Sequence, residues 1–171
     1  NGLIDGGAGN NIANYSGQAN AVVLLSNYIN VGIFQGNSAG STLIGSDNGD
    51  NWIIEGENSG SNGAIVFTDF TNLTGGAGND NFAFANDGSV TGTIDAGDGQ
   101  DTVDYSLQTI VLVNLSGGFN DVANAEIING NGTNSTLIGT GNGDSWLISS
   151  GGAGTVEGIT FTGFTDLTGG G

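Results

Sequence analysis

Two nine-residue stretches carry the clearest chemistry in the chain. Residues 75–83 read Gly-Gly-Ala-Gly-Asn-Asp-Asn-Phe-Ala, and residues 96–104 read Ala-Gly-Asp-Gly-Gln-Asp-Thr-Val-Asp. Both follow the form G-G-x-G-x-D-x-U-x, with U a large apolar residue, a turn that binds calcium in parallel β-helices. Calcium takes six to eight hard oxygen ligands and tolerates irregular geometry. Glycines reach backbone conformations closed to other residues, so several carbonyls can face one point. The aspartate adds a carboxylate, and the apolar residue two positions on anchors the turn in a core. One turn supplies half a shell, so two must stack. The 21-residue spacing puts Gly76, Gly78 and Asp80 over Gly97, Gly99 and Asp101. This predicts one Ca2+ between the two turns, held by both carboxylates and by glycine-region carbonyls, with Asp98 or Asp104 assisting.

A second, weaker set of candidates surrounds this one. Gly6-Gly7-Ala8-Gly9-Asn10-Asn11 has the same glycines, with Gly7 and Gly9 in place, but carries Asn11 where the aspartate is expected. Gly169–Gly171 begins a further half-site. Asp47, Asp50 and Asp144 lie in Gly/Asn/Asp turns before each tryptophan and read as turn residues, with a second type of calcium site as the alternative. For the main motif the alternative is a set of metal-free Gly-Asn-Asp turns.

The elements that must position these turns are legible as repeats. Ile4-Asp5-Gly6-Gly7-Ala8-Gly9 matches Ile94-Asp95-Ala96-Gly97-Asp98-Gly99, and Tyr15-Ser16 matches Tyr105-Ser106, at an offset of 90. Ser41–Gly45 recurs at Ser135–Gly139, Asn48–Trp52 at Asn142–Trp146 and Phe67–Gly76 at Phe161–Gly170, at an offset of 94. The difference implies about four extra residues in the second copy, expected as a loop in Gly117–Asn124. Within a copy, Asn72-Leu73-Thr74, Thr93-Ile94-Asp95 and Asn114-Leu115-Ser116 are spaced by 21, and Leu25-Ser26 follows Ile4-Asp5 at the same interval. A strand ending in a polar residue and a glycine turn, recurring at 21, is one coil of a parallel solenoid. Apolar bursts of strand length at 21–25, 33–34, 52–54, 65–67, 82–84, 110–113, 127–128, 146–148 and 159–161 are separated by Asn, Asp, Gly and Ser. No stretch of ten residues sustains helical periodicity.

The expectation is an all-β chain: a right-handed parallel β-helix (β-solenoid) with rungs of about 21–24 residues. Residues 1–171 form one continuous solenoid, with internal repeat 1 at about 1–90 and repeat 2 at about 91–171. A β-sandwich with Gly-rich turns is the alternative, but it does not predict a phase that returns at 21. Seven to eight rungs at roughly 4.8 Å each give a rod of about 35–40 Å. The chain opens on Leu3-Ile4 and stops partway into the glycine motif without a polar cap, so it reads as a segment that continues. Trp52 and Trp146 are expected as core plugs at equivalent rungs rather than sugar platforms. The Thr-rich stretches 67–74 and 161–168 place threonine at every third position, unlike the alternating pairs of an ice-binding face. Sequons begin at Asn14, Asn72, Asn114, Asn131 and Asn134, which leaves glycosylation as a minor reading.

Composition narrows the function classes. The 171 residues include 35 glycines and 17 acidic residues, with no Lys, Arg, His, Cys, Met or Pro. At a net charge of −17 the compact state is self-repelling unless counter-ions bind, and disorder without calcium is one expectation. Nucleic acid is excluded as a partner, because that affinity depends on Lys and Arg, and an anionic membrane surface repels the chain for the same reason. No apolar run approaches the roughly 20 residues of a membrane span. Without cysteines there are no disulfides, so stability falls to stacking and metal.

At 75–84 and 94–106 the sequence resembles the RTX (repeats-in-toxin) calcium-binding proteins, and more narrowly the long β-strand repeat regions of very large bacterial surface and secreted proteins. Asn72–Asp80, Thr93–Asp101 and Asp104–Ser106 carry the likeness. The resemblance implies export to the cell surface or medium, folding triggered by extracellular calcium, and a structural or adhesive role. Family β-rolls stack their nonapeptides in tandem, whereas here each is isolated in a longer coil. That departure favours a wider β-helix with occasional metal staples.

The leading expectation is a structural module of an extracellular bacterial filament, stalk or matrix fibre, rigidified by calcium. It would continue end-to-end into copies of itself or flanking repeats, because exposed strand edges pair readily. The alternative is a segment of a calcium-dependent adhesin that binds glycan, or less readily ice, on one face. An enzyme is not expected and no catalytic residue is assigned. β-Helix enzymes acting on acidic sugars need Arg, Lys or His to neutralise charge or move a proton, and no carboxylate pair stands out for glycoside hydrolysis.

Overall fold

Alternation of apolar and polar residues over three to six positions makes each burst a strand with one face to the core. In the computed structural model, which describes residues 2–116, 122–141 and 143–170, the bursts at 21–25, 33–34, 52–54, 65–67, 82–84, 110–113, 127–128, 146–148 and 159–161 each coincide with a strand, with only Ala21, Leu25 and Ile110 falling just outside. The chain is all-β and its sheets are mostly parallel. Among the described residues the only helical turn is a single 3-10 turn at Leu25–Asn27.

The largest sheet has eleven strands. In spatial order they are Ile12–Asn14, Ile33–Gln35, Ile65–Thr68, Ser59–Asn62, Asn51–Gly56, Asn81–Phe84, Thr102–Asp104, Ile127–Asn129, Ile159–Thr162, Ala153–Val156 and Trp146–Ser150. A five-stranded parallel sheet runs Val22–Leu24, Thr42–Ile44, Asn72–Ala77, Ile94–Asp98 and Val122–Ala123, and a three-stranded one runs Val111–Asn114, Ser135–Ile138 and Asp166–Thr168. Ile4–Asp5 pairs with Tyr28–Ile29. Inward residues from these sheets form one core. Val23, Leu43, Leu73, Ile94 and Val122 line up across the five-stranded sheet, and Phe82, Val103, Ile128 and Phe161 across the large one. Each such side chain, fully withdrawn from water, contributes about 1.5–3 kcal/mol before conformational entropy is counted.

The 21-residue step is real between 73 and 104. Leu73 lies opposite Ile94, Gly76 opposite Gly97 and Phe82 opposite Val103. Ile12 pairs with Ile33 at the same step, and Ile4 with Tyr28 and Val111 with Ser135 at 24, whereas other pairings leave the expected 21–24 residues. Val22 pairs with Thr42, a step of 20, Asn72 with Thr42, a step of 30, and Ile33 with Val66, a step of 33. The long steps arise because residues 51–68 and 146–162 each fold into an antiparallel three-stranded meander before the chain moves on. The middle strands, Ser59–Asn62 and Ala153–Val156, carry a polar or glycine-rich sequence with little apolar signal. A two-residue turn, Glu157-Gly158, closes the second meander with both φ angles positive (47° and 86°), as a type I′ hairpin requires.

Two further sequence expectations are corrected. Leu25-Ser26 is not the rung partner of Ile4-Asp5. It lies in the 3-10 turn, and Ile4-Asp5 pairs with Tyr28-Ile29, 24 residues on. Nor does Asn114-Leu115-Ser116 stack on Thr93-Ile94-Asp95. Ile94 pairs with Val122, and Asn114 with Ile138. Of the loop expected in Gly117–Asn124, Val122–Ala123 is a strand and Asn124 takes a left-handed φ of 59°, and residues 117–121 lie outside the described residues.

The duplicated sequence gives duplicated packing. Trp52 meets Phe67 edge-on at 5.7 Å and 71°, and Trp146 meets Phe161 at 5.6 Å and 72°. In each meander the phenylalanine lies opposite an inward glycine of the middle strand, Gly60 or Gly154, and the tryptophan opposite the next inward residue, Asn62 or Val156. A methyl group on Gly60 would fall 2.0 Å from the Ile53 carbonyl oxygen. Trp52 is fully buried and stacks flat on Phe82 at 5.7 Å and 5°, which makes it a core plug. Trp146 packs on the same core but is only partly buried.

Candidate metal centre

Strands Asn72–Ala77 and Ile94–Asp98 run in register into two stacked turns, and this pairing sets Gly76 on Gly97 and Ala77 on Asp98. Stacking continues past the strands: the Gln100 N–H donates to Asn79 Oδ1 at 3.0 Å, and the Asp80 N–H to Asp101 Oδ1 at 2.7 Å. Gly76, Gly78, Gly97 and Gly99 all have positive φ (122°, 91°, 102° and 152°), a region in which side chains are strained. The glycines are also needed for close approach. A methyl on Gly97 would lie 2.0 Å from Gly76 O, and one on Gly99 2.0 Å from Gly78 O. The sequence pattern thus has a stacking reason independent of any metal.

The aspartates belong to a longer ladder than the spacing predicts. The Asp50 N–H donates to Asp80 Oδ1 (2.6 Å), the Asp80 N–H to Asp101 Oδ1 and the Asp101 N–H to Glu126 Oε2 (2.8 Å). Four acids therefore stand before four neighbouring strands of the large sheet, and the carboxylates of Asp80, Asp101 and Glu126 each accept from the backbone N–H of the acid before. Glu126 was missed because its step is 25 residues rather than 21. The signal that could have found it is its position before Ile127-Ile128, the counterpart of Asp101 before Thr102-Val103.

Each of the two central carboxylates uses only one oxygen. Asp80 is 2% exposed and Asp101 fully buried, and Oδ2 of both lies buried with no hydrogen-bond partner. Asp80 Oδ2 faces a cradle at Gly75, where a methyl would sit 2.3 Å from it and 2.2 Å from the Ala96 carbonyl oxygen. Burial pushes the Asp80 carboxyl up to about 6, with the charges of Asp50 and Asp101 adding to the effect and the Asp50 N–H opposing it. Burial likewise raises Asp101, helped by Glu126, Asp95 and Asp98 and opposed by the Asp80 N–H. An anion held this way needs a proton or a cation at its second oxygen. The donors here are all oxygens, which suits a hard cation such as calcium. Among the described residues, no three acids converge closely enough to form a metal cluster by themselves, so backbone carbonyls would have to complete the shell.

The other candidates divide. Asp98 is exposed on the strand opposite Ala77, close enough to act on Asp101 through charge. Asp104 lies away from the pair, its Oδ1 accepting from the Ser106 N–H. Asp50 Oδ2 takes the Ser46 N–H at 2.5 Å. Asp144 is held below the usual carboxylate range by the Thr140 hydroxyl first, and also by the backbone N–H groups of Thr140, Gly141 and Gly170. Both therefore serve as turn caps. Asp47 is exposed near Gly76.

The first-copy turn supplies a comparison. Gly7 and Gly9 have positive φ (73° and 105°), as their counterparts Gly97 and Gly99 do. Asn11 stands at the position of Asp101, and its Nδ2 donates to the carbonyls of Gly7 (3.1 Å), Gly9 (3.3 Å) and Asn30 (2.8 Å). Where the second copy has an acid, the first has an amide that points its protons at the turn's carbonyls. Around both turns the same brace recurs: Asn30 Nδ2 donates to Asp5 Oδ1 (2.8 Å) and Asn124 Nδ2 to Asp95 Oδ1 (2.7 Å). Among the sequons, Asn72 and Asn131 donate their Nδ2 to backbone carbonyls, which ties up the nitrogen that a glycan would need.

No protein-family model matches the chain, and no curated protein or solved structure is significantly similar to it.

Proposed function

We propose that this chain is a calcium-stapled, right-handed β-solenoid that serves as a structural repeat module of an extracellular or cell-surface bacterial filament, stalk or matrix fibre. The observation that carries the reading is the pair of stacked aspartates, Asp80 and Asp101, each with one buried oxygen that nothing in the protein satisfies. Calcium would be held by these two carboxylates with carbonyls of the flanking turns, and would supply the positive charge that a chain of 17 acids and no bases lacks. The Asn11 turn supports this reading, since an amide donor there meets the same glycine carbonyls without a metal. The repeat-on-repeat pairing of Asn72–Ala77 with Ile94–Asp98 supports a part that stacks into a longer object. Stability in such an object is approximately a sum of rung and neighbour terms, so a metal between two rungs stiffens one step without altering the others.

Circular dichroism during a titration with calcium and then EDTA tests the reading. A β signal or melting temperature that rises with calcium and falls in EDTA is expected, with the loss reproduced by Asp80→Ala plus Asp101→Ala. A signal and a melting temperature that ignore both reagents would sink it.

An adhesin reading is favoured by one observation: Ile12, Ile33 and Val66 stand side by side on the outer face of the large sheet, 60%, 37% and 48% exposed. Calcium-dependent retention on immobilised glycans, lost on Ile33→Asp, would select it over the filament.

A further inference from the structure

Because the chain contains two copies of one unit, each residue of the second copy has a reference environment in the first. The environments differ where a strand of one copy is covered and its counterpart ends a sheet, and one such edge is the strand Trp146–Ser150. Ile54 is fully buried, whereas its counterpart Ile148 is 51% exposed. Trp52 is fully buried, whereas Trp146 is only partly so. Leu147, the counterpart of Ile53, is 70% exposed against 45%.

The first copy shows what makes the difference. Strand Asn51–Gly56 is covered by the parallel strand Asn81–Phe84, with Phe82 opposite Trp52 and Phe84 opposite Ile54. The Asn81 N–H bonds Asp50 O and the Ala85 N–H bonds Ile54 O, both at 2.9 Å. Phe82 lies flat on the Trp52 ring, and the preceding Asp80 caps the Asp50 N–H. In the second copy the corresponding strand, Trp146–Ser150, is the last of the eleven-stranded sheet. Its turn residue Asp144, its indole and its alternate apolar side chain follow in the same order as in the first copy, on an edge that no strand among the described residues covers.

We propose that the Trp146–Ser150 edge is a docking site for one parallel strand of the type Asp-x-Φ-x-Φ, with Φ a large apolar or aromatic residue. The first Φ lies on Trp146 and the second on Ile148, and the aspartate caps the Asp144 N–H. Affinity comes from main-chain hydrogen bonds along the edge, and selectivity from the two alternate side chains, as in other strand-addition sites. The inference deepens the stacking half of the proposed function and rests on it, while being independent of calcium.

The test uses the whole chain and a synthetic peptide of its own residues 77–87, Ala-Gly-Asn-Asp-Asn-Phe-Ala-Phe-Ala-Asn-Asp, with tryptophan emission as the readout. Trp52 is buried throughout, so a change reports Trp146. A saturable blue shift is expected, and a peptide carrying Phe82→Asp should bind about ten- to a hundredfold more weakly. Placing the variant in the peptide leaves the protein's folding untouched. No shift, or an equal shift with the altered peptide, overturns the proposal. Self-association in sedimentation that the peptide competes away assigns the edge to a second copy of the chain and also overturns it. Peptide binding that persists in EDTA with an unchanged fold removes the metal reading and leaves the edge. A calcium response without peptide binding does the reverse.

Discussion

The backbone N–H of Asp80 donates to the carboxylate of Asp101 across 2.7 Å, one 21-residue step further along the chain. Each of the two residues is therefore a cap and is itself capped, since Asp80 takes the Asp50 N–H and the Asp101 N–H goes to Glu126. The ladder fixes one oxygen of each acid for structural use and leaves the other, buried and unmatched, to set the chain's response to its medium.

Exchanging the acid and the amide between the two copies should exchange their behaviour. Asp101→Asn keeps an oxygen for the Asp80 N–H and offers an amide nitrogen to the turn, as Asn11 does. Its melting temperature in EDTA should rise by about 3–8 °C, and the gain on adding calcium should shrink. Asn11→Asp removes the two amide protons shared among three carbonyls and should cost about 1–3 kcal/mol in EDTA, with calcium restoring part of the loss. Calorimetry in EDTA and in calcium reads both. An Asp101→Asn chain that keeps its full calcium response contradicts the assignment.

Acid should partly replace metal. The folded-state carboxyl of Asp80 is raised to about 6 from an ordinary 3.8, so the proton is bound more tightly in the folded chain than in the unfolded one. The stability this contributes is complete below pH 3.8 and is lost as pH rises through about 6, by on the order of 2–3 kcal/mol for this one group. Asp101 shifts in the same direction. Metal-free chain should therefore melt higher at pH 4 than at pH 7, and calcium should narrow the gap. Thermal scans across that range check the sign, and a metal-free chain more stable at pH 7 would refute it.

Glycine should be irreplaceable where rungs touch and dispensable where they do not. Gly97→Ala brings a methyl to 2.0 Å from Gly76 O at a φ of 102°, and should cost about 3 kcal/mol from overpacking and backbone strain together. Gly17→Ala meets nothing within 4 Å and should change stability by no more than about 1 kcal/mol. Urea unfolding of the two variants gives the comparison directly.

What could be read from the sequence was whatever repeats or alternates. The 21-residue phase gave the pairing of Leu73 with Ile94 and of Asp80 with Asp101, and the 90–94-residue duplication foretold the matched Trp52 and Trp146 contacts. The meanders were hidden because Ser59–Asn62 holds its place through hydrogen bonds and an inward glycine rather than through apolar side chains. Periodicity also misled where a motif recurs without stacking, as at Leu25-Ser26, because a short turn can copy the letters of a rung without its hydrogen bonds. Glu126 completes the acid ladder from outside the period, and only three-dimensional register could find it.

The strands around Asp80 and Asp101 each have a neighbour on both sides, whereas, among the described residues, Ile12–Asn14, Val22–Leu24, Val111–Asn114, Val122–Ala123, Trp146–Ser150 and Asp166–Thr168 are the last in their sheets. With rung terms roughly additive, opening begins where a strand has one neighbour instead of two, and it runs inward. Residues 72–104 are then the last to let go, so a medium that fills or empties the carboxylate pair acts on the slowest-exchanging part of the molecule. If calcium binds there as proposed, its loss would shorten the life of the whole stack, whereas damage at a sheet's last strand would shorten only that edge.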